Sequence, residues 1–175
     1  MMNYNSYMGK LEDVEEKSRI ENGYSHIVYN VFDFALEDRY RLVDTSTIVR
    51  GNDKRQFPLN LIAVPDFFVT SKEYTYKKGN GNGVYACVEV KFNDKDVMNP
   101  DRLANSKKGG EESVGYIQIY NKVIYTNGWI WRYYINEDKN SPEWEINFRK
   151  HPTNKEYGKL LERLCSIDWE EEERK

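Results

Sequence analysis

A chain of 175 residues in which 39% are hydrophobic and 14% aromatic, with 14 Tyr and 4 Trp, carries too much core-forming material to be disordered. Its length predicts one domain spanning residues 1–175, large enough to bury a core. A net charge of −3 excludes a basic nucleic-acid coat protein, so any contact with nucleic acid must come from local patches.

The chain opens on a polar stretch, MMNYNSYMGKLEDVEEK, with no apolar signal core, and no later apolar run approaches transmembrane length. No membrane partner is therefore expected. From Lys10 to Glu37, Val14, Ile20, Tyr24, Ile27, Val28, Val31, Phe34 and Ala35 recur at three- and four-residue steps, which predicts a helix. Gly23 is its weak point, and the acidic LEDVEE suits the positive end of a helix dipole.

Tyr40 to Val49 reads as a first strand, followed by the polar turn GNDKRQ. Leu59 to Thr70, LNLIAVPDFFVT, reads as a second, with Pro65 marking an edge, a bend or a strand end. The run KKGNGNG is hairpin material, since a phosphate-cradling glycine loop must open a helix and this one opens a strand. Val84 to Phe92 alternates most clearly: Val84, Ala86, Val88, Val90 and Phe92 share one face, and Tyr85, Cys87, Glu89 and Lys91 the other.

Residues 93–113 are polar and read as a mobile loop. Glu111 to Lys122 can form a short helix carrying Gln118. Val123 to Ile135 reads as a hairpin on Asn127-Gly128, the pair that suits a type I′ turn with positive φ at both central positions. WEINF, Trp144 to Phe148, is a further strand. Thr153 and Glu156 form a T-x-x-E capping box for a last helix with the stripe Tyr157, Leu160, Leu161, Leu164 and Ile167. The tail, about 169–175, is charged and expected to fray. The predicted order is helix, three strands, short helix, three strands, helix: an α/β (α+β) chain with a central mixed sheet flanked by helices.

Two cysteines, Cys87 and Cys165, stand far apart and outside any C-x-x-C. That argues against a disulfide framework or zinc site and for a reduced, cytoplasmic setting. The chemistry sits elsewhere. Asp66, in Pro65-Asp66, and Glu89, in Glu89-Val90-Lys91, are acidic groups on neighbouring strands joined by a hairpin-like turn. Mg²⁺ takes hard oxygen ligands and usually one or two protein carboxylates, with waters or phosphate oxygens completing the shell. Such a pair could hold the ion, which would polarise a phosphate and acidify a bound water. Lys91, two residues along the Glu89 face, could orient that water or stabilise developing negative charge.

These residues resemble the PD-(D/E)xK nuclease superfamily, whose core is a helix, three strands, a helix and a further strand. The signature reads VPDFF (64–68) and VEVK (88–91), and QIYNKVIYTNGWIWRYY (118–134) is similar to a segment of type I restriction-enzyme nuclease domains. The resemblance implies a restriction-endonuclease-like fold and a DNA endonuclease dependent on Mg²⁺ or Mn²⁺. It makes Asp66 and Glu89 metal ligands, Lys91 the catalytic lysine, Gln118 a supporting helix residue and Glu21 the helix-one acid, with Glu15 and Glu16 as rivals for that last role. The family's helix motif often reads Q-x-x-x-Y; here Lys122 stands four residues after Gln118, and the tyrosine is Tyr120.

Lys107 and Lys108 are candidate phosphate contacts, and a homodimer would supply the two sites that cutting both strands requires. The rival expectation is a non-catalytic binding protein on the same fold, such as a phage or mobile-element inhibitor of a host defence complex. The run WIWRYY could stack on bases but is expected to pack the sheet. His26 and His151 lie in unrelated segments and are not expected to share a site.

Overall fold

The computed structural model describes residues 2–18, 20–36, 38–45, 64–75, 82–108 and 111–170. Two helices stand where one was expected. Helix α1, Tyr4–Asp13, starts at Asn3, whose side chain accepts the Ser6 N–H at 2.9 Å. It runs into a π-helical turn, Val14–Ser18, before the chain breaks at Ile20, which is extended (φ −121°, ψ 143°). Helix α2 is Glu21–Ala35. Gly23 allows the tight corner: a Cβ there would lie 2.8 Å from Val14 Cγ1. The acidic LEDVEE thus falls at the end of α1, not at a helix start, because the Asn3 cap begins the helix earlier than periodicity had placed it.

Six strands form one sheet in the order β1-β2-β3-β6-β7-β8. They are β1 Tyr40–Asp44, β2 Phe67–Ser71, β3 Val84–Val90, β6 Val123–Thr126, β7 Ile130–Tyr134 and β8 Trp144–Asn147. All neighbours are antiparallel except β3 and β6, which run parallel. The crossover between those two carries α4, Tyr116–Tyr120, as a parallel connection requires. The sheet is therefore mixed, as expected.

The expected second strand begins only at Phe67: Pro65 has no N–H for a ladder, and Val64 and Pro65 precede the strand. Positions 46–49 and 59–63 of the two expected strands, the GNDKRQ turn, 77–81 of the glycine run and the last residues of the tail lie outside the described residues. The segment expected as a loop, 93–113, contains helix α3, Asp94–Met98, and a ribbon of β4, Ser106–Lys108, with β5, Glu111–Ser113. Asn93 caps α3 by accepting the Asp96 N–H at 2.9 Å.

Helices cover both faces of the sheet. On one face Val88, Val90, Phe67 and Trp131 meet α1 and α2: Phe32 lies 5.9 Å from the Trp131 ring, and the Trp131 indole donates to Tyr7 Oη at 2.9 Å. Helix α5, Asn154–Ser166, joins this layer through Tyr157, Leu160, Leu161 and Leu164. Thr153 caps it by accepting the Glu156 N–H at 3.2 Å. On the other face α4 buries Tyr116, Ile117 and Tyr120, with Tyr120 5.4 Å from Phe68. The WIWRYY run is buried throughout and packs the sheet.

The β6–β7 hairpin turns at Asn127 and Gly128 as expected, but only Gly128 has positive φ (80°). A type I′ turn is excluded. The Asn127 side chain instead accepts the N–H groups of Trp129 and Ile130, at 3.1 and 2.9 Å, and so folds a longer loop around itself.

Candidate functional site

The β2–β3–β6 register builds the site. Phe67 pairs with Val88, so Asp66, one residue earlier, comes level with Glu89. The N–H groups of Cys87 and Lys91 point to β6, where they meet Lys122 O and Thr126 O at 3.2 and 2.8 Å. By alternation, the Val90 N–H points toward β2, beyond the end of that strand. Asp66 fills the gap: its Oδ2 accepts the Val90 N–H at 2.7 Å. The turn at Pro65 is tied down by Thr45, whose hydroxyl donates to Pro65 O and whose N–H meets Asp66 O at 2.9 Å.

Glu89 is 4% exposed. A bare buried carboxylate would cost several kcal/mol, on the order of the desolvation penalty of an ion, and here three groups face it. Lys91 Nζ donates to Oε1 at 2.8 Å, the Tyr116 hydroxyl donates to Oε2 at 3.2 Å, and Arg102 Nη1 lies 3.6 Å from Oε1. Lys91 also lies 3.6 Å from Asp101 and 5.9 Å from the centre of the Tyr125 ring. Glu21, the first residue of α2, lies close enough to Glu89, Lys91 and Asp66 for their charges to act on one another.

Burial pushes the Glu89 carboxyl from 4.5 up to about 7, with Lys91 pulling the other way and Asp66 adding to the rise. Asp66 is pushed from 3.8 up to about 6, chiefly by burial, against the Val90 hydrogen bond. Glu21 is exposed at its surface, and partial desolvation there, with the nearby Glu89 and Asp96 charges, raises it despite Lys91. For Lys91, burial alone would lower the ammonium, but the Glu89 ion pair outweighs it and holds the ammonium above its ordinary value. Several carboxyls held above their usual range around one lysine mark a functional-site candidate.

Of the residues singled out in the sequence, the structure brings Asp66, Glu89, Lys91 and Glu21 together. It places Gln118 elsewhere: that side chain is exposed and its amide donates to Glu137. Helix α4 turns residues 116, 117 and 120 toward the sheet, which leaves 118 outward. Glu15 instead pairs with Arg149, at 2.7 and 2.9 Å, and Glu16 is exposed on the π-helical turn. His26 and His151 are both exposed. Lys107 belongs to β4 with Lys108, and the side chains of both lie outside the described residues.

Sequence reasoning missed Tyr116 and Arg102. The helical phase of Tyr116, Ile117 and Tyr120 could have found the first. Nothing periodic marks Arg102, in the connection between α3 and β4.

No group of three or more His, Cys, Asp or Glu side chains among the described residues is gathered closely enough to hold a metal ion. The donor set is instead a pair, Asp66 and Glu89, which fits an ion that takes one or two carboxylates and keeps other oxygens as ligands. Both carboxyls are oxygen-only donors, raised by burial and relieved by positive charge, as such an ion would supply.

Fold and site together define a mixed α/β chain with a buried carboxylate–lysine cluster at one end of its central strands. No protein-family model, curated protein or solved structure matches the chain. No helix among the described residues is long and apolar enough to cross a membrane.

Proposed function

We propose that this chain is a metal-dependent nuclease with a restriction-endonuclease-like core, acting on DNA. The observation that carries the reading is the convergence of Asp66 with Glu89 and Lys91 at the shared end of β2 and β3. With α3 and the β4–β5 ribbon as an insertion between β3 and α4, the order α2, β1, β2, β3, α4, β6, with β6 parallel to β3, supports it, because it is the helix, three strands, helix and strand that the resemblance implies.

Asp66 and Glu89 would hold Mg²⁺ or Mn²⁺, which when bound polarises the scissile phosphate and lowers the pKa of a coordinated water. Lys91 keeps its proton at Nζ and presents positive charge beside the carboxylates, where it can orient a water and offset charge building on the phosphate. Tyr116 fixes the Glu89 carboxylate by its hydrogen bond. Glu21 adds a third acid at the rim, and Gln118, spent on Glu137, has no part in this reading. Both carboxylates must be ionised to serve as ligands, so at limiting metal the binding of Mg²⁺, and cleavage with it, should strengthen with pH through about 6 to 7.

The test is cleavage of single- and double-stranded DNA with Mg²⁺ or Mn²⁺ by wild type, Asp66→Ala and Lys91→Ala. Each substitution should cost at least about 100-fold, the scale of losing one electrostatic stabiliser. Undiminished cutting by both variants would sink the assignment.

A second reading has its own observation: both Glu89 oxygens are already engaged within the chain, by Lys91 and Tyr116. That suits a nuclease-fold protein that has become a binder, such as a phage or mobile-element inhibitor of a host defence complex. A protein that cuts nothing, yet forms a stable complex with a defence complex that Asp66→Ala leaves intact, would select this reading.

A further inference from the structure

Two arginines sit on the Glu89 side of the sheet, and they are used very differently. Arg132 on β7 is 7% exposed and every nitrogen of its fork is engaged. Nε and Nη2 meet Glu145 Oε2 at 2.8 and 2.7 Å, and Nη1 meets Met98 O and Tyr134 Oη at 3.1 and 3.2 Å. Arg102 is half-exposed, at 47% of its side chain. Only its Nη1 is engaged among the described residues, 3.4 Å from Tyr116 Oη and 3.6 Å from Glu89 Oε1. The second distance is beyond a hydrogen bond. An arginine serving only to neutralise Glu89 would be expected to close to about 2.7–2.9 Å and present two nitrogens.

The backbone under Arg102 is nevertheless firmly held. Its carbonyl accepts the Tyr116 N–H at 2.8 Å, and the next carbonyl, of Leu103, accepts the Ile117 N–H at 3.1 Å. The first N–H groups of α4 are thus satisfied by the segment that carries the guanidinium. Asn105 Oδ1 takes the Gly115 N–H at 2.8 Å, and the two segments are so close that a Cβ on Gly115 would fall 2.3 Å from the Ala104 carbonyl carbon. Leu103 is fully buried. A fixed backbone therefore delivers a long cationic side chain to the edge of Glu89, and nothing among the described residues engages its Nε and Nη2.

We propose that Arg102 binds the substrate phosphodiester at this site, its Nε and Nη2 gripping the non-bridging oxygens beside the position that Asp66 and Glu89 define. This rests on the nuclease reading above. It supplies what that reading lacks, a planar cation shaped for phosphate. Lys91 is committed to Glu89 and Asp101, while Arg102 can turn from Glu89 toward an incoming anion without leaving the carboxylate bare, since Lys91 and Tyr116 stay on it.

The test uses the full chain carrying Asp66→Ala, so that DNA is bound without being cut, alone and combined with Arg102→Ala, Arg102→Gln or Arg102→Lys. Affinity for a short labelled duplex is measured between about 50 and 200 mM KCl. Losing one phosphate contact should weaken binding by about 10-fold or more. It should also lower the slope of log affinity against log salt by about 0.9, with Arg102→Lys keeping most of the slope. Arg102→Gln keeps the side chain's bulk should Arg102→Ala fold poorly. An unchanged slope in Arg102→Ala and Arg102→Gln, beside a wild type that cuts DNA, would make Arg102 a counter-ion of Glu89 and overturn this proposal alone. A wild type that neither binds nor cuts DNA with Mg²⁺ or Mn²⁺ overturns the nuclease reading and the role of Arg102 with it.

Discussion

One row of the sheet carries two charge clusters. Glu89 on β3 stands beside Tyr125 on β6, Tyr125 beside Arg132 on β7, and Arg132 beside Glu145 on β8. At the β8 end, Arg132 meets its counter-ion, two carbonyls and a hydroxyl, and nothing is left over. At the β3 end, Glu89 and Asp66 are crowded together and held above the ordinary carboxylate range, with one committed lysine and one loosely engaged arginine. The two clusters share one face of the sheet. What separates them is balance. A charge whose partners are all in place is costly to break, whereas one left in surplus is held at a cost that folding alone does not explain.

The largest effect expected from that contrast is on stability. Arg132→Ala removes the ion-pair partner of Glu145, which is 25% exposed, and bares three other acceptors, and should cost about 3 kcal/mol, the lower end for a broken buried pair, in urea or thermal unfolding. It touches none of the candidate ligands, so DNA cleavage per folded molecule should hold. A loss below about 1 kcal/mol, the scale of a surface pair, would remove the β8 cluster as the structural member of the comparison.

The next effect has the opposite sign. The folded-state pKa values of Asp66 and Glu89, about 6 and about 7, lie above 3.8 and 4.5, so the folded chain binds more protons than the unfolded one across that window. Their protonation favours the fold; this contribution is full below about pH 4 and is lost as pH rises through 6 and then 7. Asp66→Asn keeps an oxygen for the Val90 N–H and removes the buried charge. It should raise stability at pH 8 by on the order of 1–3 kcal/mol and flatten the decline between about pH 4 and 7. Mg²⁺ should stabilise wild type at pH 8 and Asp66→Asn far less. An Asp66→Asn chain that is less stable than wild type at pH 8 would place the two clusters in the same class.

How much of this could be read beforehand follows the range of the interactions. Strand alternation separated Val88 and Val90 from Glu89 and Lys91 correctly, because that period is local. It could not reveal that the Glu89 face is also covered, since the cover is α4, which arrives from residues 116–120. The Asn127-Gly128 hairpin was legible in position but not in type, because the Asn127 side chain takes over bonds that a backbone turn would make. Helical phase put Tyr116, not Gln118, against Glu89. Arg102 left no trace in the sequence, as its place is set by two carbonyls capping α4 and by the fit of Gly115 against Ala104.

The smallest effect sharpens the comparison most, because it uses the same atom at each cluster. Tyr134 Oη lies 3.2 Å from Arg132 Nη1 and donates to Lys139 O at 3.2 Å; Tyr116 Oη donates to Glu89 Oε2 at 3.2 Å. Tyr134→Phe should cost about 1 kcal/mol, the net worth of one such bond, and the cost should be the same at pH 5 and pH 8, since the guanidinium keeps its charge throughout. Tyr116→Phe should cost little at pH 5, where Glu89 is protonated, and about 1–2 kcal/mol more at pH 8, where the hydroxyl serves an ionised carboxylate. The measurement is the pair of unfolding free energies for each variant at the two pH values. Equal pH responses would mean that Glu89 is as settled as Glu145, and the surplus charge on which the site rests would be gone.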